Sequence, residues 1–349
     1  MLETRLSAER YTFDNANDAI EYYFEKGWTD GLPVVPPTEE KVRAMLAAGG
    51  VSPDETLMSV PTRSRIVTAE KIAINAVMAG CKPEYFPVVL AAIEALDDPG
   101  YAVHGPAAST GSAATLLIVS GPVAKELDVN GRDNVLGPGW RANSTIGRTM
   151  RLVLMNCLGA TPGIMDRSTV GNPAKYTHCI AEDWTETRWT PHHIERGFQP
   201  EDSSVTLCAT ESPIHINNHA ARDAEGILST YADTMTGAGI ATVLGNGQWV
   251  IGIGPEHRDT IIGAGWSKDD VRNFIHDKTR VSRGRLIRAG RIGGTPSPEE
   301  DAKMVQCIVE PNDIIVVACG GPAGRWGFAI PGWSGRGGTT PTTKLIRKP

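Results

Sequence analysis

The stretch WVIGIGP (Trp249–Pro255) decides the fold, because the chain repeats its form in TLLIVSGP (Thr115–Pro122) and DIIVVACGGP (Asp313–Pro322). Each is an unbroken apolar run closed by glycine and proline. A half-exposed strand alternates apolar and polar residues, whereas a strand covered on both faces is apolar throughout. The first two runs lead directly into predicted helices. The expectation is an α/β fold of layered, mostly parallel sheets flanked by helices, and the recurrence suggests two similar α/β halves.

Working outward, Asn15 to Phe24 reads as a short helix. In LPVVPPTEEKVRAML, Thr38 is placed as an N-cap with Glu39 and Glu40 in the first turn. TAEKIAINAVMAG from Thr68 reads as a helix with Ile72, Ala76 and Val77 on one face. Pro83 opens another that runs through Leu96, and Cys81 sits at the joint. The 38 glycines and 24 prolines are dispersed through the chain, as many short turns require, and do not form a linker. A soft boundary falls at RGFQPEDSS, giving an α/β domain over 1–200 that carries the Gly-rich loops and a second over 201–349. A single continuous domain would read much the same.

Of the 349 residues 41% are hydrophobic and 21% charged, which is ordinary for a chain with a sizeable core. The net charge of −6 argues against general nucleic-acid binding. The cluster Arg280, Arg283, Arg285, Arg288 and Arg291 reads either as a solvated turn or as a loop that holds an anion. No window approaches the roughly 20 apolar residues of a membrane span, and the N-terminus lacks a signal-type apolar core, so the expected location is cytoplasmic. The six cysteines show no CxxC and no zinc-finger spacing, and are expected to be thiols. Neither GxGxxG nor GxxxxGK[ST] is found, which disfavours NAD and ATP.

Several segments carry candidate chemistry. In LGPGWRANSTIGRTMRLVLMN, Gly137–Gly139 form a turn, and Asn143 or Ser144 is positioned to cap the following helix. Free N–H groups there, with Arg141 and Arg148, suit a carboxylate or phosphate; a capped helix with exposed arginines is the alternative. HGPAASTGSAA is a small-residue loop offering the hydroxyls of Ser109, Thr110 and Ser112. ACGGPAGRWG follows a strand, although a lone glycine cluster is a weak signal. In ESPIHINNHAARDAEG, His215 and His219 are four apart, yet Ile-Asn-Asn and Pro213 oppose the helix an HExxH-type zinc site needs. The expectation is a helix starting near His219, capped by Asn217 or Asn218. Three readings stand: acid/base work by His219 with Glu225 nearby and Asn218 holding the ring or substrate; a loose metal site of His215 and His219, completed by Glu211 or by a distant His178, His192 or His193; or structural capping. In KYTHCIAEDW, strand alternation puts Lys175 and Cys179 on one face and His178 on the other. Cys179 and Cys81 are thiol candidates, the latter because a helix N-terminus lowers a thiol pKa; buried apolar thiols are the alternative.

The segments GWTDGLPVVPPTEEKV, NAVMAGCKPEYFPVVLAAIEAL, LGPGWRANSTIGR and PAKYTHCIAE resemble a bacterial family over most of the chain. Its members occur beside, or fused to, Cys/Sec-Gly-Ser-Cys proteins related to the selenoprotein component of glycine- and proline-type reductases. No such motif occurs here, so the resemblance implies a partner on a separate chain. The expected function is cleavage of a carbon–heteroatom bond in a small polar or anionic compound, reductively with that thiol or selenol partner. The alternatives are a hydrolase or lyase using His219, with or without a metal, and a non-catalytic substrate-binding subunit. Trp28, Trp184, Trp189, Trp333 and WGFAIPGW look generous for surface loops, which predicts a homo-oligomer.

Overall fold

The computed structural model describes residues 5–184, 188–239, 247–334 and 338–348. The chain forms two compact units, one of Met1–Glu182, Pro191–Thr210 and Thr339–Pro349, the other of Asp183–Thr190 and Glu211–Gly338. The arrangement differs from a single cut near residue 200 in that the C-terminal segment returns to the first unit as a strand. The fold is α/β, with several sheets flanked by helices.

In the first unit, β1 (Thr56–Val60) and β2 (Arg65–Thr68) form an antiparallel hairpin. The main sheet holds β3 (Ala114–Ser120), β4 (Cys179–Ala181), β5 (Ser204–Thr210) and β12 (Thr342–Leu345) in the order β12-β5-β3-β4. Leu116, Leu117, Ile118 and Val119 of β3 are each 0% exposed, so the unbroken apolar run reports burial on both faces as expected. Burial of each such side chain contributes about 1.5–3 kcal/mol. Helix Arg141–Asn156 packs on β3 and β4, and helix Phe86–Asp97 on β5 and β12. Ile72, Ala76 and Val77 are buried on helix Ala69–Ala79, and Thr38 caps helix Glu39–Gly49.

In the second unit, β6 (Ile214–Asn217), β7 (Trp249–Ile253), β10 (Ile314–Ala318) and β11 (Trp326–Pro331) lie in the order β10-β7-β11-β6. A small antiparallel pair, β8 (Arg280–Ser282) with β9 (Met304–Gln306), interrupts the path from β7 to β10. The two four-stranded sheets share one pattern of directions. Each has a single parallel pair, β3 with β4 and β7 with β10, next to two antiparallel pairings. Chain order through the pattern also matches, once the outer antiparallel strand is moved from last (β12) to first (β6). The sheets are therefore mixed, which corrects the expectation of mostly parallel strands. An apolar run reports that both faces are covered; it does not report the direction of the neighbour.

Glycine has the same job at the end of β3 and of β7. Gly121 adopts φ +106°, and a Cβ there would meet Ser203 Cα at 2.7 Å; at Gly254 it would meet Trp326 O at 2.5 Å. In both units the backbone entering the central antiparallel strand, β5 or β11, presses on the glycine that precedes the Pro-initiated helix. Among the described residues, no helix is long and apolar enough to cross a membrane. Trp189 is 6% exposed and bonds Trp266 O, and Trp28 joins an aromatic group with Tyr11, Tyr22 and Tyr23, so these rings are used within the chain and give no argument for an oligomer.

Candidate functional site

The strongest chemical cluster is built in the first unit by the connection from helix Arg141–Asn156 to β4. After the helix, Asp166 N–H bonds back to Thr161 O and Gly163 N–H to Asp166 O, closing a tight turn. Thr169 N–H then bonds Thr110 O, and Asn172 donates to Ser112 O while accepting from Ala174 N–H. Asn172 thereby caps a 3-10 turn, Pro173–Lys175, which swings Lys175 back over the loop. The small-residue loop at Ser109–Ser112 is the wall on which this connection is pinned.

The result gathers four side chains. Lys175 Nζ lies 2.9 and 2.8 Å from the two Asp166 carboxylate oxygens and 2.6 Å from Ser168 Oγ. Ser168 Oγ lies 2.7 Å from Asp166 Oδ1 and 2.7 Å from Gly111 O. Arg151, from the helix, reaches Asp166 Oδ2 at 3.2 Å. The side chains of Arg151, Asp166 and Lys175 are 11%, 8% and 13% exposed, close enough to solvent for a ligand to reach them and buried enough for charge to count. Burial alone would raise the Asp166 carboxyl; the hydrogen bonds from Lys175 and Ser168 and the ammonium charge outweigh it and hold the group below the usual carboxylate range. With the carboxylate ionised and both cations charged, the cluster carries one net positive charge. It can hold an anion beside a serine hydroxyl whose anionic form a neighbouring ammonium favours.

Of these four residues, sequence reasoning found only Lys175. It placed that lysine on a strand beside Cys179; the structure puts it in the 3-10 turn, four residues before β4, because Pro173 and the Asn172 cap stop the extension. The missed signal is MDRSTVGNPAK, in which an acid and a hydroxyl two apart precede a lysine across a Gly-Asn-Pro turn.

The predicted anion loop is put to another use. Helix Arg141–Asn156 begins at Arg141, so neither Asn143 nor Ser144 caps it; Ser144 N–H bonds Trp140 O inside the first turn. Asn143 is buried, accepting from Asn130 N–H and donating to Asn130 O and Cys179 O. Arg141 donates twice to Gly80 O, at 3.0 and 2.9 Å. Arg148 is paired bidentately with Asp30 at 2.8 and 2.7 Å and also donates to the carbonyls of Leu32 and Pro33. Arg148 thus fastens the TDGLPVVPP segment to the helix, whereas Arg141 holds the helix-end carbonyl of Gly80 and Asn143 ties the helix to Asn130 and to β4. Arg141, Asn143 and Arg148 therefore do structural work here, and Ser144 lies within the first turn, so the expected cap-and-anion loop is not formed as the sequence suggested.

The thiols are likewise enclosed. Cys81 and Cys179 are 7% and 5% exposed, and burial pushes both up from the ordinary thiol range. For Cys81 that burial outweighs the help expected from a helix N-terminus and from Thr149, 3.3 Å from its sulfur. Neither thiol is disposed to be a thiolate at neutral pH. His178 is on the other face from Cys179, as alternation requires; burial pushes its imidazole down to about 4, and it has no hydrogen-bond partner among the described residues.

A second polar set, Ser120, Glu182 and His193, resembles a nucleophile–base–acid arrangement in its distances. Ser120 Oγ is 2.7 Å from Glu182 Oε2 and 2.9 Å from His193 Nδ1. Ser120 and His193 are both 0% exposed, however, and Glu182 also accepts from His192 N–H at 2.6 Å. Buried in this way, the network secures the ends of β3 and β4.

In the second unit, four strand ends meet on one edge: the C-terminal ends of β6, β7 and β10 and the start of β11. His219 is there, exposed, in the loop after β6; the helix expected at His219 begins instead at Ala224, capped by Asp223. Asn218 accepts from Ala220 and Ala221 N–H and donates to Gly226 O and Thr230, so it braces the loop and has no amide left to hold a neighbouring ring. Its carbonyl accepts from fully buried His257 at 3.1 Å, and burial lowers the His257 imidazole. His215 and His219 both set ring edges against Trp326, with centroids 6.4 and 6.1 Å away. Glu225 is exposed in the first turn of helix Ala224–Gly237. Glu211 donates its N–H to Pro331 O. Among the described residues no group of three His, Cys, Asp or Glu side chains is placed to hold a metal ion, so Glu211, His215 and His219 do not form one. The arginine cluster at 280–291 starts on β8 and continues along helix Arg283–Arg288, not in a turn, and Arg283 and Arg288 are paired with Glu300 and Asp301.

No family model matches the chain, and no curated protein does. Among solved structures, that of a cyanuric acid hydrolase from A. caulinodans is similar over 67% of this chain and 60% of that one, at 12% identity and a TM-score of 0.18. The chain thus spans about 60% of that protein's length, and a likeness this slight carries no argument about fold or activity.

Proposed function

We propose that the chain hydrolyses a carbon–nitrogen or carbon–oxygen bond in a small anionic compound, with Ser168 as nucleophile. The observation that carries this reading is the placement of Ser168 Oγ 2.6 Å from Lys175 Nζ and 2.7 Å from Asp166 Oδ1. Lys175 favours the developing alkoxide, and Asp166, ionised in the resting site, is within reach of the hydroxyl proton. Attack on an acyl carbon forms the Oγ–C bond and expels the amine or alcohol. Arg151 and Lys175 supply the positive field that selects a negatively charged substrate. The enclosed thiols give no support to a reductive cleavage through Cys81 or Cys179.

The test compares p-nitrophenyl acetate with the anionic p-nitrophenyl succinate. Turnover should favour the anion, and Ser168→Ala should lose roughly a thousandfold or more, as expected when a nucleophile is removed. Equal turnover by the folded Ser168→Ala protein would overturn the reading.

A further inference from the structure

Beside the cluster is a cavity of about 20 Å³ lined by Asp166, Arg151, Tyr101 and Thr115, with an apolar wall that includes Ala107 and Leu154. Space of that size holds one water and little else, since a water needs upward of about 10–15 Å³ and two to four polar partners. The polar partners are present. Thr115 and Tyr101 bond each other through their hydroxyls at 2.9 Å, leaving each oxygen capacity for another bond, and Arg151 and Asp166 bring a donor and an acceptor.

We infer that this cavity stores the hydrolytic water, and that Thr115 is the positioning residue that holds it against Asp166 for release of the acyl group from Ser168. The inference rests on the hydrolase reading of that serine. Asp166 is shared between the two halves of the reaction: one carboxylate oxygen is turned to Ser168, the other to Arg151 at the cavity. In the release step the water oxygen bonds the acyl carbon and the C–Oγ bond breaks. One water proton passes to Asp166 and on to Ser168 Oγ, which restores the serine hydroxyl. The other stays with the product acid, so no oxidant, reductant or further reactant is needed.

The location also explains a feature of the lining. Thr115 is the one polar side chain between Ala114 and Val119 of β3, in a strand otherwise built for burial. A valine would suit the strand equally and fill the same volume; only the hydroxyl distinguishes them.

Thr115→Val is the test, read in the full-length protein with p-nitrophenyl acetate by stopped-flow and intact-mass analysis. The burst of p-nitrophenolate should keep its rate and amplitude, because acylation does not use this water. Steady-state release should fall about tenfold, as for the loss of one hydrogen bond, with an acetyl group accumulating on Ser168. Tyr101→Phe should do the same more weakly. If burst and steady state fall together, or if Thr115→Val releases acetate like the parent, the inference is overturned while acylation of Ser168 stands. If the parent protein is not acetylated on Ser168 at all, the hydrolase reading fails first and this one with it. A crystal structure of the protein with the cavity dry also sinks it.

Discussion

Lys175→Met isolates what the charge cluster contributes to stability. The substitution keeps most of the stem volume and removes the ammonium, which makes two contacts to Asp166 and one to Ser168. Asp166, 8% exposed, then keeps one cationic partner, Arg151 at 3.2 Å, beside the neutral donors of Ser168. Removing one partner of a buried pair costs about 3–5 kcal/mol. Here Arg151 remains and the lysine has some solvent, so about 2–3 kcal/mol is the expectation. In a unit of this size that corresponds to a Tm lowered by about 4–12 °C. The pH dependence identifies the cause. The folded Asp166 carboxyl is depressed, so its contribution is fully present above the unfolded carboxylate value of about 3.9 and is lost as pH falls through the lower folded value. The gap between parent and variant should therefore be constant from neutral pH down to about 5 and close below about 4. Adding Asp166→Asn to Lys175→Met should restore part of the loss, because the uncompensated charge goes with it. The assay is thermal unfolding by circular dichroism across that pH range. A Lys175→Met protein with the parent's Tm at pH 7, or a gap that persists unchanged at pH 3, would refute the reasoning.

Other consequences can be checked independently. Arg148→Ala leaves Asp30, whose side chain is 3% exposed, without its bidentate partner and should cost about 3 kcal/mol, whereas Arg141→Ala should leave binding of anionic substrates unchanged; calorimetry separates the two. Gly254→Ala forces a Cβ to 2.5 Å from Trp326 O and should destabilise the second unit by about 2–3 kcal/mol, read as a lower urea midpoint. Cys81 and Cys179 should react with a water-soluble thiol reagent only as fast as the protein opens, so rapid labelling under native conditions would contradict their enclosure. His219→Ala and His215→Ala should both fold and, if hydrolysis runs at Ser168, turn over like the parent; a selective loss in His219→Ala would restore the acid/base reading of that loop.

The sequence by itself determined the local pieces. Unbroken apolar runs ending in Gly-Pro marked β3, β7 and β10, and the Thr38 cap marked a helix start, because burial on two faces and hydrogen bonds to the residues just ahead are local demands. Strand direction was decided only in three dimensions: β3 takes an antiparallel neighbour from residues 204–210, and β5 one from the far end of the chain, and neither partner is encoded in the run itself. The candidate site shows the same division. Lys175 was legible as a cation amid polar chemistry, but its partners depend on a turn at Asp166, a cap at Asn172 and a helix that aims Arg151 inward. The arginines with the most suggestive sequence setting, Arg141 and Arg148, are occupied by Gly80 and Asp30, 61 and 118 residues away along the chain. A guanidinium's chemistry is fixed by its residue type; whether it is free for a substrate is fixed by which distant carbonyl or carboxylate the fold brings to it first.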